Sequence, residues 1–253
     1  MSLKATVLGA SIAALCLAAS PADAGVVSFS SIVGAWSNAS PSSSIDFNSG
    51  AGTSLARVRW GGTTFANDSG YDFLAVPGTT SVTVPPSPSS IFDLGTFTHI
   101  NNPISGNSID SIRLTVNTNV AIDSVSQGNL QFVFDFFHDE TPNGANPCQY
   151  GGNNNQGVNI NGCADRVTTA YNTLSQTFTV GSDIYTIDVL GFKLGNNPVV
   201  NEFFTKEDFI NDATLQAQVK LRSEVNVPEP ATLGLIGLSL MLVGANGLRR
   251  RKR

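Results

Sequence analysis

The chain has 253 residues, 41% hydrophobic and 13% charged, which is enough apolar material for one substantial core and excludes wholesale disorder. Six of the 14 basic residues (Lys4 and the run 249–253) lie at the two ends, with only two of the 19 acidic ones (Asp23 and Glu229), so residues 25–228 carry a net charge of −9. An acidic body with no basic patch excludes a nucleic-acid partner.

Residues 1–24 read as a secretory signal peptide. Lys4 supplies the positive start, residues 5–19 are an almost unbroken apolar run, and Ala22-Asp23-Ala24 offers small residues for cleavage. The mature chain is expected to begin near Gly25.

Residues 25–227 form one expected domain. Apolar residues alternate with polar ones along 112–116, 130–137, 185–189 and 215–221, the period of a half-buried strand. In 130–137 the aligned residues are Leu130, Phe132, Phe134 and Phe136. Shorter strands are expected at 26–33, 55–60, 73–76, 81–84, 91–97 and 177–180, separated by Gly, Asn and Pro. About ten strands with no helical crossover predict an all-β fold: an antiparallel β-sandwich, jelly-roll-like, with a β-barrel as the alternative. A short helix is expected over 207–213, with Thr205 as its N-cap. Residues 139–165 read as one long loop rich in Asn and Gly.

Cys148 and Cys163 are the two cysteines of the mature chain, and an even count in an exported protein reads as a disulfide. The rival reading, a metal pair, needs further ligands in a suitable arrangement. His99 follows an apolar strand and precedes Asn101-Asn102-Pro103, so Thr98, His99 and Asn101 are expected to cap a turn. His138, Asp139 and Glu140, with Asp165 across the disulfide loop, are the candidate ligand set, for Ca²⁺ if a metal is bound. Convergence of His99 and His138 would make an acid/base pair. Trp36 and Trp60 lie near strands and are expected in the core rather than on a sugar platform. No serine-hydrolase elbow, zinc-protease helix, phosphate loop or dinucleotide fingerprint occurs.

The C-terminal end has three parts. Pro228, Glu229 and Pro230 break regular structure; residues 231–247 carry no charge; a basic run including Arg249, Arg250 and Arg251 follows. As a helix, 231–247 would reach roughly 25 Å, just enough to cross a bilayer. The basic run holds its end in the cytoplasm, leaving the body outside the inner membrane.

This order resembles the PEP-CTERM sorting signal of Gram-negative bacteria. The resemblance implies an exosortase that recognises Pro228, Glu229 and Pro230, with the inner membrane engaged transiently through 231–247. The body is similar to the THxN group of such proteins. Thr98-His99-x-Asn101 matches its signature, and Val58-Arg59-Trp60-Gly61 with Ser69-Gly70-Tyr71-x-Phe73 its upstream pattern. His138 to Asn143, Cys148 and Cys163-Ala164-Asp165-Arg166-Val167 follow its downstream pattern. The residues between the two cysteines are unusually Asn-rich for that group.

The resulting expectation is an exported protein of the cell surface or biofilm matrix, structural or adhesive and not an enzyme. The alternatives are a carbohydrate- or Ca²⁺-binding module for exopolysaccharide, or a hydrolase acting through His138 and carboxylates. Exopolysaccharide and other surface proteins are the expected partners outside the cell.

Overall fold

A computed structural model describes residues 25–41, 45–61, 68–84, 90–181 and 183–224. The signal peptide, Pro228, Glu229, Pro230, the apolar span 231–247 and the basic run lie outside the described residues.

Every strand pair is antiparallel. One sheet runs in the order β13 (Glu202–Thr205), β9 (Asp165–Tyr171), β8 (Val125–Asp139), β7 (Ser111–Ile122), β1 (Gly25–Ser40) and β5 (Thr79–Val84). The second runs β10 (Phe178–Val180), β11 (Asp183–Lys193), β14 (Phe209–Glu224), β6 (Ile91–Asn101), β4 (Ser69–Ala75), β3 (Leu55–Trp60) and β2 (Asp46–Ser49). The short β12 (Val199–Val200) pairs with β11. There is no α-helix among the described residues.

The two sheets face each other because each has one apolar face. In β7, Ile112, Leu114, Val116 and Val120 are buried, while the residues between them are half-buried or exposed, apart from Thr118, which joins the buried face. Such alternation puts one side of a strand toward a partner sheet. The two inner faces meet through rings. Phe97 of β6 stacks on Phe136 of β8 at 5.2 Å between centroids, and Phe29 of β1 stacks on Phe92 of β6 at 4.9 Å. Trp36 of β1 touches the rings of Tyr71, Phe97 and Phe136, and its indole N–H donates to the Ala56 carbonyl. Both tryptophans are core residues. The sandwich is therefore the expected architecture.

Two local expectations fail. Residues 207–213 are not a helix: Glu207 and Asp208 make a turn, and β14 starts at Phe209. Pairing of residues 209–218 with β6, and the inward burial of Ala213, Leu215 and Ala217, override the local helical signal. Thr205 is the last residue of β13 rather than a cap. Residues 98–101 are not a turn either. They close β6, which continues past the expected end at 97 to Asn101. Strands β2, β9, β12 and β13 were not apparent from the sequence pattern.

Replacing Phe136 by alanine removes the ring that joins the sheets at their centre. We expect Phe136→Ala to lower unfolding free energy by about 3–5 kcal/mol, measured by chemical denaturation.

Candidate functional site

The period of a strand carries polar groups into one end of the core. On β6, Phe97, His99 and Asn101 point inward, whereas Thr98 points out and donates to Asp212 Oδ1 at 2.5 Å. On β8 the inward row Phe132, Phe134 and Phe136 continues to His138. Asp165 opens β9 beside Thr205, its register partner on β13. Glu207 follows in the turn, and Glu140 lies just beyond β8. His99, His138, Asp165 and Glu207 are all buried, and Glu140 is half-buried.

These side chains converge. The imidazoles of His99 and His138 stand perpendicular, with centroids 5.1 Å apart. One ring nitrogen from each and a carboxylate oxygen of Asp165 lie within 4.8 Å of one another. One oxygen from each of Glu140, Asp165 and Glu207 does the same. Asp165 therefore belongs to both groups. Trp60 and Tyr71 pack their rings against both histidines.

Hydroxyls orient the imidazoles. His99 Nδ1 pairs with Thr205 Oγ1 at 2.8 Å, and His138 Nδ1 pairs with the Tyr71 hydroxyl at 2.6 Å. His138 Nε2 faces Glu140 Oε2 at 3.2 Å, and Ser108 donates to that same oxygen at 3.2 Å. The Thr141 amide donates to Asp165 Oδ1 at 2.7 Å. Beyond these, the centre is short of partners. His99 Nε2, Asn101 Oδ1, Asn143 Oδ1, Asp165 Oδ2 and both oxygens of Glu207 are buried without a hydrogen bond. The side chains of Asn101 and Asn143 lie near enough to Asp165 and Glu207 to favour their ionised forms, yet outside hydrogen-bonding geometry.

Burial sets the charge states. It pushes the Asp165 carboxyl up to about 8, with the Glu140 charge adding to the shift and the Thr141 amide opposing it. It pushes Glu207 up to about 7, with Asn143 opposing and Glu140 adding. Burial, then His138 and Arg59, hold His99 well below the ordinary imidazole range, so His99 is neutral near pH 7. Burial, then Asp165 and Glu140, push Tyr71 well above the ordinary phenol range, so it keeps its proton.

The Cys148–Cys163 disulfide ties the Asn-rich loop beneath this centre, closing a sequence separation of 15 residues. In the chain-entropy account such a closure contributes roughly 3 kcal/mol. Thr141 Oγ1 donates to the Cys163 carbonyl at 2.9 Å, which fixes the segment carrying Glu140 and Asn143. Gly162 has a φ of +148°, and a Cβ there would meet Asn143 Oδ1 at 2.7 Å. The missing side chain lets the loop close over Asn143 and Glu207. Above Glu140, Thr141 and Asn143 opens a surface hollow of about 680 Å³, also lined by Ile104, Ser108 and Asp110.

Of the expected ligand set His138, Asp139, Glu140 and Asp165, three members meet and Asp139 does not. Strand alternation turns Asp139 outward, where it accepts from the Tyr150 hydroxyl and lies 3.7 Å from Arg166. His99 joins from the opposite sheet, so the two histidines do converge. Glu207 was hidden by the helical reading of its segment. Its one sequence signal is the acidic pair Glu207-Asp208 ahead of the last strand.

The family model of the PEP-CTERM protein-sorting motif matches residues 226–252. The matched residues include Pro228, Glu229, Pro230, Arg249, Arg250 and Arg251. No curated protein matches the chain in sequence. The chain thus carries a PEP-CTERM sorting motif, which implies an exosortase-targeted exported protein.

The raised carboxyls fix the sign of a pH effect. Asp165 and Glu207 bind protons in the folded state that the unfolded chain releases above its ordinary values of 3.8 and 4.5. Their stabilising contribution is complete below those values and is lost as pH rises through about 7 and about 8. In chelating buffer the melting temperature should therefore fall between pH 5 and pH 8.5, a range spanned by roughly those transitions. Asp165→Asn should flatten the fall, and a slope unchanged by that substitution would contradict the assignment.

Proposed function

We propose that this is an exosortase-sorted protein of the cell surface or biofilm matrix of a Gram-negative bacterium, with a structural or adhesive role rather than a catalytic one. The observation that carries this reading is the sorting motif at 226–252, which follows directly on a β-sandwich ending at Glu224. In this reading Pro228, Glu229 and Pro230 are the recognition element. The apolar span 231–247 holds the chain in the inner membrane until it is processed.

Burial supports the non-catalytic role. His99 and His138 are 0% and 5% exposed, so a polymeric substrate does not reach either imidazole in this arrangement. A hydrolase would need a nucleophile or base within hydrogen-bonding distance of its substrate.

The hollow beside Asp110, Glu140 and Asn143 favours a second reading, a site for exopolysaccharide. Its rim supplies carboxylate and amide groups of the kind that bond sugar hydroxyls. Both tryptophans are buried, so neither offers a stacking platform for a sugar ring.

The sorting reading predicts a native mature protein whose intact mass lacks residues 1–24 and everything beyond about Pro230, the region an exosortase and a signal peptidase would remove. A mass that retains Arg249, Arg250 and Arg251 contradicts it. The exopolysaccharide reading predicts saturable binding of the oxidised protein to the producer's own polymer, weakened by Asp110→Ala. Absence of binding, with and without Ca²⁺, leaves the structural role alone.

A further inference from the structure

We propose that the buried cluster binds one divalent transition-metal ion of the zinc class, through His99, His138, Asp165 and Glu207, and that the ion fastens the two sheets together. This inference is independent of how the chain is sorted.

Three observations carry it. First, the donors are gathered from four separate segments. His99 comes from β6 in one sheet, and His138 and Asp165 come from β8 and β9 in the other. Glu207 comes from the turn between β13 and β14. Ligands in a tetrahedral zinc shell stand about 3.4 Å from one another, given zinc–ligand distances near 2.1 Å. His99, His138 and Asp165 lie within 4.8 Å of one another and need only small side-chain movements to reach that arrangement, whereas Glu207 lies within 4.8 Å of Asp165 and must swing toward the histidines to complete the shell.

Second, the donors are unsatisfied. His99 Nε2, Asp165 Oδ2 and both Glu207 oxygens are buried and have no hydrogen-bond partner. Buried polar atoms in folded proteins are paired in the great majority of cases, because each unpaired one costs about 1–3 kcal/mol. Protonation alone does not satisfy this group, since a neutral carboxyl still needs an acceptor for its proton. One cation would take a lone pair from each of these three side chains at once. Asn101, itself fully buried on the same inward row of β6 as His99, keeps an unpartnered carbonyl oxygen.

Third, the surroundings have the build of an outer shell. Metal-bound histidines usually donate their other ring N–H to an oxygen, which fixes the tautomer. Thr205 Oγ1 stands at Nδ1 of His99, and the Tyr71 oxygen at Nδ1 of His138. Each leaves Nε2 for the metal. His138 Nε2 faces Glu140 before binding, so binding there displaces any proton it carries and frees Glu140. Glu140 also lines the surface hollow, which gives the ion a path inward.

The donor chemistry selects the metal. Two imidazoles suit zinc and its neighbours in the first transition row, whereas Ca²⁺ takes oxygen ligands in larger numbers. Four protein donors with little solvent access make a closed, structural type of centre. A crosslink between sheets in this position would stabilise the folded state by the whole free energy of binding at a given metal concentration.

The test uses untagged protein purified from the producing cell, stripped by a chelator and titrated with Zn²⁺, Co²⁺ or Ca²⁺. The expected result is about one Zn²⁺ or Co²⁺ bound per chain and a raised melting temperature, with no comparable shift from Ca²⁺. Bound Co²⁺ should show visible ligand-field bands of low coordination number without thiolate charge transfer. His99→Ala should abolish stoichiometric binding. Thr205→Val, which touches no metal, should weaken it by about 10–100-fold. If His99→Ala fails to fold, the Co²⁺ spectrum of the unaltered protein decides the matter. The proposal is overturned by lack of stoichiometric Zn²⁺ or Co²⁺ binding, by equal stabilisation with Ca²⁺, or by a folded His99→Ala protein that binds as before.

Discussion

The body of this protein is organised around a cost: two carboxyl groups and two imidazoles withdrawn from water at one end of an otherwise apolar core, with a third carboxyl half-buried beside them. Removing charge from water is expensive, and a like-charged neighbour raises the cost further. The raised pKa values of Asp165 and Glu207 express that penalty. A fold that keeps such a group must supply protons, a counter-charge or a cation. The described residues place Arg59 within electrostatic reach of His99, but its guanidinium is committed to Asp72 at 2.6 Å. The proposed cation offsets the charge and gives His99, Asp165 and Glu207 a common partner.

Packing explains why the cluster forms where it does. The stacked pair Phe97 and Phe136 sets the distance between the sheets, and His99 and His138 lie two residues further along the same two strands. Strand geometry thus carries the aromatic contact forward into a histidine contact. The disulfide loop then closes the end of the sandwich, with Thr141 bonded both to Asp165 and to the Cys163 carbonyl. The hollow beside Glu140, Thr141 and Asn143 opens to solvent at this end. The sorting motif acts elsewhere in the chain, so export and the buried centre are separable properties.

Much of this was legible in the sequence, for identifiable reasons. The row Leu130, Phe132, Phe134 and Phe136 announces a strand, and extending its period by one step places His138 inside and Asp139 outside. Asp139 is adjacent to His138 and Glu140 in sequence, yet that same period sends it to the other face. The Asn and Pro that closely follow His99 have the composition of a turn, although Phe97, His99 and Asn101 keep the strand period. Glu207 lay in a segment whose local preferences are helical, and only its pairing partners on β6 decide otherwise. No single-chain pattern brings His99 and His138 together, since 39 positions separate them and the contact crosses between sheets. The sorting signal was legible because it is linear: its parts act in order along the chain and need no fold.

The most direct test of the buried centre is anomalous diffraction at the zinc absorption edge from crystals of the zinc-loaded protein. The account predicts one strong peak within about 2.0–2.2 Å of a ring nitrogen of His99, a ring nitrogen of His138 and an oxygen of Asp165. A map with no peak there, or with zinc bound only at surface groups such as Asp139, would contradict it.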